Sequence, residues 1–344
     1  MSTPPWHPES LAARLPFLRR RARLTAAARA FLTTRGYTEV ETPCLVPIPG
    51  AEIHLHGFRT EYLPHLGVGT RRALWLRTSP ELALKRLLVA GAGPVFELAR
   101  VFRNGEASPR HAPEFTMLEW YRPGLTLAAL MAETEALVRA LCPPLVSHAG
   151  VTTDLRRPFA RLTMAEAFAT HCNGLDILAT VTPDGLGDAA ALHAAAARHG
   201  LPPLPAASWE DLFFHLLLER VESHLGRDHA TFLTHWPAPQ AALARRDPAD
   251  PRAALRFELF AAGLELANAF DELTNAAEQR ARFTADAAER QSLHGEGWGI
   301  DEDFLAALDH GMPAGSGIAL GFDRLAMLAA GARRIEDVLW LPFG

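Results

Sequence analysis

Residues 95–121, VFELARVFRNGEASPRHAPEFTMLEWY, decide how the rest of the chain is read. Two strand patterns, Val95–Phe102 and Phe115–Tyr121, are joined by a polar loop of about ten residues. On the second strand a period of two sets Phe115, Met117, Glu119 and Tyr121 on one face and Thr116, Leu118 and Trp120 on the other. Phe115 and Glu119 then lie about 13 Å apart. An aromatic ring at one end, with a carboxylate and a phenol at the other, suits a long ligand that has a planar head and a cationic tail. A half-buried strand with a polar rim gives the same pattern.

Residues 256–275, RFELFAAGLELANAFDELTN, form a second candidate hairpin. If Ala261 and Ala262 make a two-residue turn, Glu258 and Glu265 are direct cross-strand partners; a three-residue loop ending at Gly263 sends them to opposite faces. Opposed carboxylates repel, so the first register asks for a cation between them. Oxygen-only ligands at an open site favour Mg²⁺ bound with phosphates over zinc, and a solvated hairpin with charged edges is the plain alternative. In a regular strand Asn268, Phe270 and Glu272 fall on the face opposite Glu265, so a bulge or a strong twist is needed to bring all of them to one ligand. The third segment, residues 315–331, GSGIALGFDRLAMLAAG, is a strand running through Gly321 into a helix with Arg324 in its first turn. Such a helix start suits phosphate, but no Gly-Lys-Ser/Thr follows, which excludes a P-loop.

Outward from these segments, Leu11–Arg35 predicts a helix with Pro16 marking its start and Gly36 beyond its end, and Arg19, Arg20, Arg21 and Arg23 read as a solvated basic face. Strands are predicted at 37–41, 74–77, 231–234, 256–260, 264–270 and 317–320, with a helix at 79–89 that has Pro80 in its first position and another at 322–330 closed by Gly331. Residues 124–230 are Ala/Leu-rich and predict helices. Strands grouped at both ends of the chain with helices between them indicate an α+β fold, a largely antiparallel sheet flanked by helices. The expectation is one catalytic domain over 1–344 with a mostly helical insertion at 124–230.

Composition narrows the function. The 344 residues are 49% hydrophobic, and 34 basic against 39 acidic side chains give a net charge of −5, which disfavours a large nucleic-acid surface and hence stable tRNA binding. Cys44, Cys142 and Cys172 are far apart in sequence and form no redox or zinc pair, which fits a reducing cytoplasm, and no apolar run reaches membrane-spanning length. His54 and His56 alternate on a strand pattern without partner ligands and read as structural. One count is unusual: Lys85 is the only lysine, and it too reads as structural, on the helix that follows Ser79.

GYTEVETP at 36–43, FRNGEASPRHAPEF at 102–115 and GIALGFDRL at 317–325 resemble motifs 1, 2 and 3 of the class II aminoacyl-tRNA synthetases. With TSPELALKRLLVAG, PEFTMLEWYRP and GLELANAFDELT included, residues 10–340 resemble the catalytic core of the lysyl-tRNA synthetases. They resemble more closely a stand-alone branch of that family, which joins (R)-β-lysine to a lysine of translation elongation factor P. The resemblance implies ATP and Mg²⁺, a lysine-type amino acid, elongation factor P as protein partner, and a homodimer formed through motif 1.

Carried over position by position, the resemblance gives Arg103 and Arg324 the catalytic role. Arg103 grips the α-phosphate, Phe115 stacks on adenine and Arg324 covers the other face of the ring. Asn104, Gly105, Glu106, His111, Ala112, Glu265, Leu266 and Gly321 complete the nucleotide site, and Glu258 and Glu265 hold Mg²⁺. The amino-acid pocket uses Ser79, Pro80, Glu81, Glu119, Tyr121, Asn268, Phe270, Glu272 and Ala319, with carboxylates for the two ammonium groups. Two positions depart from the family pattern: Gly105 stands where Glu is common and Ala112 where Asn is, with Glu106 and His111 as substitutes. The related synthetases carry an anticodon-binding domain ahead of the core; with a first core helix near Leu11, the expectation here is a core without one. Ser79 and Ala319 also match the stand-alone branch. A truncated synthetase acting on tRNA and a catalytically inactive binding paralogue are the alternatives.

Overall fold

A computed structural model describes residues 4–50, 52–65 and 69–342. The chain divides into two compact units, Met1–Leu125 with Thr274–Gly344, and Thr126–Leu273. The first opens with α1 (Pro8–Thr33), β1 (Thr38–Glu39), β2 (Leu45–Val46), β3 (Phe58–Tyr62), β4 (Arg72–Leu76), α2 (Glu81–Val89), β5 (Val95–Phe102) and β6 (Glu114–Pro123). The second holds α3 (Leu127–Leu141), β7 (Leu145–His148), β8 (Val151–Asp154), β9 (Ala160–Thr163), α4 (Met164–His171), α5 (Ala189–Arg198), α6 (Trp209–Leu216), β10 (Thr231–Pro237), β11 (Ala253–Ala261) and β12 (Leu264–Asp271). The chain re-enters the first unit with α7 (Ala276–His294), α8 (Glu302–Gly311), β13 (Gly315–Gly321) and α9 (Phe322–Ala330).

In the first unit four strands run in the order β1-β5-β6-β13, antiparallel except that β1 lies parallel to β5. Their register sets Glu119 opposite Glu97 on one side and Ala319 on the other, and Tyr121 opposite Val95 and Gly317. Both faces of β6 are buried, Met117 and Tyr121 on one, Leu118 and Trp120 on the other, so the strand is central and not a half-solvated edge. α1 and α9 pack together, and Leu18, Leu24, Leu32, Phe96, Trp120 and Phe322 belong to the buried core.

Two expectations for α1 are corrected. The helix begins at Pro8, not at Leu11 or Pro16, because His7 accepts a hydrogen bond from the Glu9 amide and Pro8 occupies the first turn, where its missing N–H costs nothing. It then continues through Pro16. The basic cluster is not wholly solvated either. Arg21 is 7% exposed and reaches from α1 to Asp323 at the start of α9 (2.6 Å) and to the Thr116 hydroxyl of β6 (2.8 Å), while Asp323 also accepts the Thr116 amide (2.9 Å).

The second unit has its own four strands in the order β12-β11-β10-β9, with the outer pair β10/β9 parallel, and a separate β7/β8 hairpin. The predicted helical stretch therefore also contains three short strands, which the Ala/Leu-rich composition hid. Its core is aromatic: Phe213 stacks between Phe168 (5.4 Å between ring centres) and Trp209 (5.0 Å). Among the described residues no helix is long and apolar enough to cross a membrane.

Candidate active site

The first unit builds a buried carboxylate seat. Ser79 precedes α2, and its Oγ accepts a hydrogen bond from the Glu81 amide (2.9 Å), which fixes the hydroxyl. The same hydroxyl donates to Glu119 Oε1 at 2.7 Å, and Tyr121 OH donates to Glu119 Oε2 at 2.9 Å. Glu119 is wholly buried and makes no ion pair among the described residues. Burial first, and the charge of Glu81 second, push its pKa up to about 8; the two hydroxyls pull the other way. A carboxyl group in that state is poised to ionise when an ammonium arrives. Pro80 is the residue before the first helical position of α2, and Ala319 lies directly across the strand pair from Glu119, as the register requires.

Beneath this seat are residues that the sequence pattern did not single out. Glu97 faces Glu119 across β5/β6, two like charges at a direct cross-strand position. Arg77 donates to Glu97 (2.6 Å), and the Thr42 hydroxyl donates to its other oxygen (2.7 Å), so Glu97 is satisfied within the chain. The pairing with Arg77 joins residues 20 apart in sequence and that with Thr42 residues 55 apart, which no local period reports.

At the other end of β6 the loop residues expected at a nucleotide come together. The Arg103 guanidinium lies 5.2 Å from the centre of the Phe115 ring and 3.8 Å from Glu106. Arg324 donates to His111 Nε2 at 2.5 Å, and His111 Nδ1 lies 2.7 Å from Ser108 Oγ. Because an Arg can only donate, Nε2 is the unprotonated nitrogen and the ring hydrogen sits on Nδ1, pointing at Ser108. Burial, then the Arg324 charge, hold the His111 pKa below its usual value, in agreement with that tautomer. Gly105 takes φ +80°, a left-handed backbone that disfavours a Glu there, and the chain turns so that Glu106 meets Arg103. Asn104 donates its amide to the His56 carbonyl, Ala112 is buried, and Gly321 caps α9. His54 and His56 both lie beside His294, yet no group of three metal-capable side chains is present among the described residues.

The second unit contributes the β11/β12 hairpin, and neither predicted register is found. Ala262 and Gly263, with φ +52° and +71°, form the turn, pairing Ala261 with Leu264 and Phe260 with Glu265. Glu258 and Glu265 are therefore diagonal neighbours on one face and not direct partners. The register shifts between Leu259 and Phe260, leaving Leu266 as the extra residue of a bulge, and beyond it Glu258 pairs with Asn268 and Arg256 with Phe270. That shift brings Asn268 and Phe270 to the face of Glu258 and Glu265, the device the alternation required.

Arg256, unnoticed in the sequence, stands among these residues. It donates to Glu258 (2.5 Å) and Asn268 (3.1 Å) and lies over Trp236 at 4.0 Å. Burial and the Glu265 charge raise the Glu258 pKa to about 8. Glu272 is buried at the end of the strand pair, bridged to Ala244. An oxygen-only pair on one face, with one member held reluctant to ionise, fits a hard cation that takes its remaining ligands from phosphate.

A mostly antiparallel sheet with arginines at a loop and a helix start, and an acidic seat beside them, is the framework of a class II ligase. The chain belongs to the class II tRNA synthetases (D, K and N): the family model matches residues 13–343. It is a ligase of that family. It is 41% identical over 336 residues to the elongation factor P–(R)-β-lysine ligase of Haemophilus influenzae strain PittGG, covering 97% of this chain and 96% of that one. It is 41% identical over 343 residues to the enzyme of that name from Klebsiella pneumoniae subsp. pneumoniae (98% and 97% covered), and 40% over 339 residues to that from Pectobacterium carotovorum (98% and 97%).

Proposed function

We propose that the chain activates (R)-β-lysine with ATP as an adenylate and transfers it to a lysine ε-amine of translation elongation factor P. The observation that carries this reading is Glu119, a wholly buried carboxylate that, among the described residues, accepts hydrogen bonds from two hydroxyls and is raised to a pKa of about 8. Such a group gains most from a ligand ammonium, because the ion pair removes the burial cost that keeps it protonated. The full-length relatives, all named for β-lysine transfer to elongation factor P, support the same substrate.

In the first step a substrate carboxylate oxygen bonds to the α-phosphorus and the bond to the β-phosphate oxygen breaks, releasing pyrophosphate. A carboxyl of pKa about 3.5 is already ionised, so no base is required. Arg103 and Arg324 neutralise the developing charge, and Phe115 seats the base. Neutral His111 orients Arg324 by accepting a hydrogen bond from its guanidinium at Nε2. Glu258 and Glu265, on one face of the β11/β12 hairpin, would hold Mg²⁺, which supplies charge neutralisation when bound. In the second step the deprotonated ε-amine bonds to the carbonyl carbon, the bond to AMP breaks, and an amide forms. A homodimer working in the cytoplasm completes the proposal. A tRNA-directed reaction is disfavoured by the net charge of −5.

The deciding experiment mixes purified protein, ATP, Mg²⁺, (R)-β-lysine and elongation factor P. The factor should gain the mass of one β-lysyl group, while tRNA stays uncharged. Charged tRNA with an unmodified factor would overturn the reading, and the absence of lysine-dependent ATP/pyrophosphate exchange would point to an inactive paralogue. Glu258→Gln should raise the Mg²⁺ concentration needed for exchange.

A further inference from the structure

Phe115 and Arg324, the two residues proposed to flank the adenine ring, are half-buried, and each has a buried polar neighbour in the chain. Thr116 follows Phe115 on β6, and Asp323 precedes Arg324 in the first turn of α9. These two neighbours are bonded to each other. β13 pairs with β6 as far as Gly321 opposite Met117, and there the chain turns into α9. At the next position of β6 the Thr116 amide donates to Asp323 Oδ2 (2.9 Å), so a side-chain carboxylate continues the ladder one step beyond the end of the strand. Arg21 of α1 closes the junction: it donates to Asp323 Oδ1 (2.6 Å) and to the Thr116 hydroxyl (2.8 Å), so one guanidinium ties the strand to the helix start.

The Thr116 side chain lies on the face of β6 opposite Phe115, so this arrangement stands behind the nucleotide end. Apolar side chains fill the same region, Leu118, Trp120 and Phe322 among them, and a buried ion pair adds little net stability over apolar residues of its size. What the pair adds is geometry. Short, directional, charge-assisted bonds fix the separation of two main-chain segments, and with it that of the side chains they carry.

We propose that Asp323, locked by Arg21, is a positioning residue for the nucleotide: its bond to the Thr116 amide sets the separation of Phe115 and Arg324, and so their grip on the two faces of the base. This rests on the nucleotide reading given above and extends it to residues that touch neither ATP nor the amino acid. A ring and a guanidinium hold a flat base only at van der Waals contact on both faces, and a slightly wider gap forfeits much of the attraction.

The test separates geometry from stability. Arg21→Met/Asp323→Leu removes both buried charges together and should unfold in urea close to wild type, whereas Asp323→Ala is destabilised. Both should bind ATP about tenfold more weakly by calorimetry without amino acid, and leave the KM for (R)-β-lysine in pyrophosphate exchange within about twofold of wild type. The ring-current shifts of the adenine protons in the ATP complex should shrink in both. Recovery of ATP affinity together with stability in the double variant shows a purely structural pair and overturns the proposal, as does an equal rise in the constants for ATP and amino acid. Should the double variant not fold, Asp323→Asn keeps the shape but loses the charge that holds Arg21. ATP binding weakened by about threefold or more, with the amino-acid KM unmoved, then supports the proposal, and wild-type affinity overturns it. If wild type shows no β-lysine-dependent exchange, the proposed function fails, while the ATP titration, which needs no reaction, still decides the role of Asp323. A wild type that binds no ATP overturns both.

Discussion

Glu119→Gln should make the unliganded protein less sensitive to alkaline pH. Burial raises the Glu119 pKa from 4.5 to about 8. At about 1.4 kcal/mol for each pH unit, the ionised form costs the folded state about 5 kcal/mol. The folded-state value lies above the unfolded one, so the stability associated with this group is fully present below about pH 4.5 and is lost as pH rises through about 8. With those two values, about 2 kcal/mol of the cost is present at about pH 6 and nearly all of it by about pH 9, a loss of about 3 kcal/mol over that range. Glutamine is close in shape to the protonated acid and does not ionise, so the variant lacks this loss. The assay is urea unfolding of wild type and variant at both pH values, where titrations common to the two proteins cancel in the difference. Parallel loss of stability in both would refute the reasoning. The same argument predicts that amino-acid binding near pH 7 releases close to one proton in wild type and none in the variant, measurable by calorimetry in buffers of different ionisation enthalpy.

Three further outcomes are expected. Asp323→Ala leaves the Arg21 guanidinium buried without its carboxylate and removes the acceptor of the Thr116 amide, so unfolding free energy should fall by about 3–5 kcal/mol; replacing both Arg21 and Asp323 by apolar residues should recover most of it, as chemical denaturation would show. His111 should be neutral at pH 7 with its proton on Nδ1, readable from ring ¹⁵N shifts, and an imidazolium at that pH would contradict the Arg324 contact; since its pKa is depressed, its contribution to stability is lost as pH falls below about 6.5. Ala319→Gly, which deletes a methyl directly across from Glu119, should shift the preference between β-lysine and α-lysine in pyrophosphate exchange by about tenfold.

What the sequence by itself determined was local and periodic. Alternation with period two placed β5, β6, β11, β12 and β13 close to their observed bounds and put Phe115, Met117, Glu119 and Tyr121 on one face; glycine signals closed α9 at Gly331. These features follow from backbone geometry over a few residues. The stand-alone ligase resemblance rested on the same short segments, and the full-length match to the family bears it out.

Only the tertiary structure decided which charge meets which. Arg21 looked like one of several solvated arginines on a helix, and its partner Asp323 lies 302 residues away. Glu97 and Glu119 belong to one strand pair, but the arginine that relieves their repulsion comes from a third segment. On β12, one unpaired residue at Leu266 reverses the parity of everything beyond it, and no period-two reading anticipates where a bulge falls. Lys85 was legible as a helix residue four positions after Glu81, but only the fold buries its ammonium against that half-buried carboxylate. A sequence pattern fixes the direction in which a side chain points. The compensation of a buried charge depends on its neighbours in space, and those are supplied by strand register and helix packing.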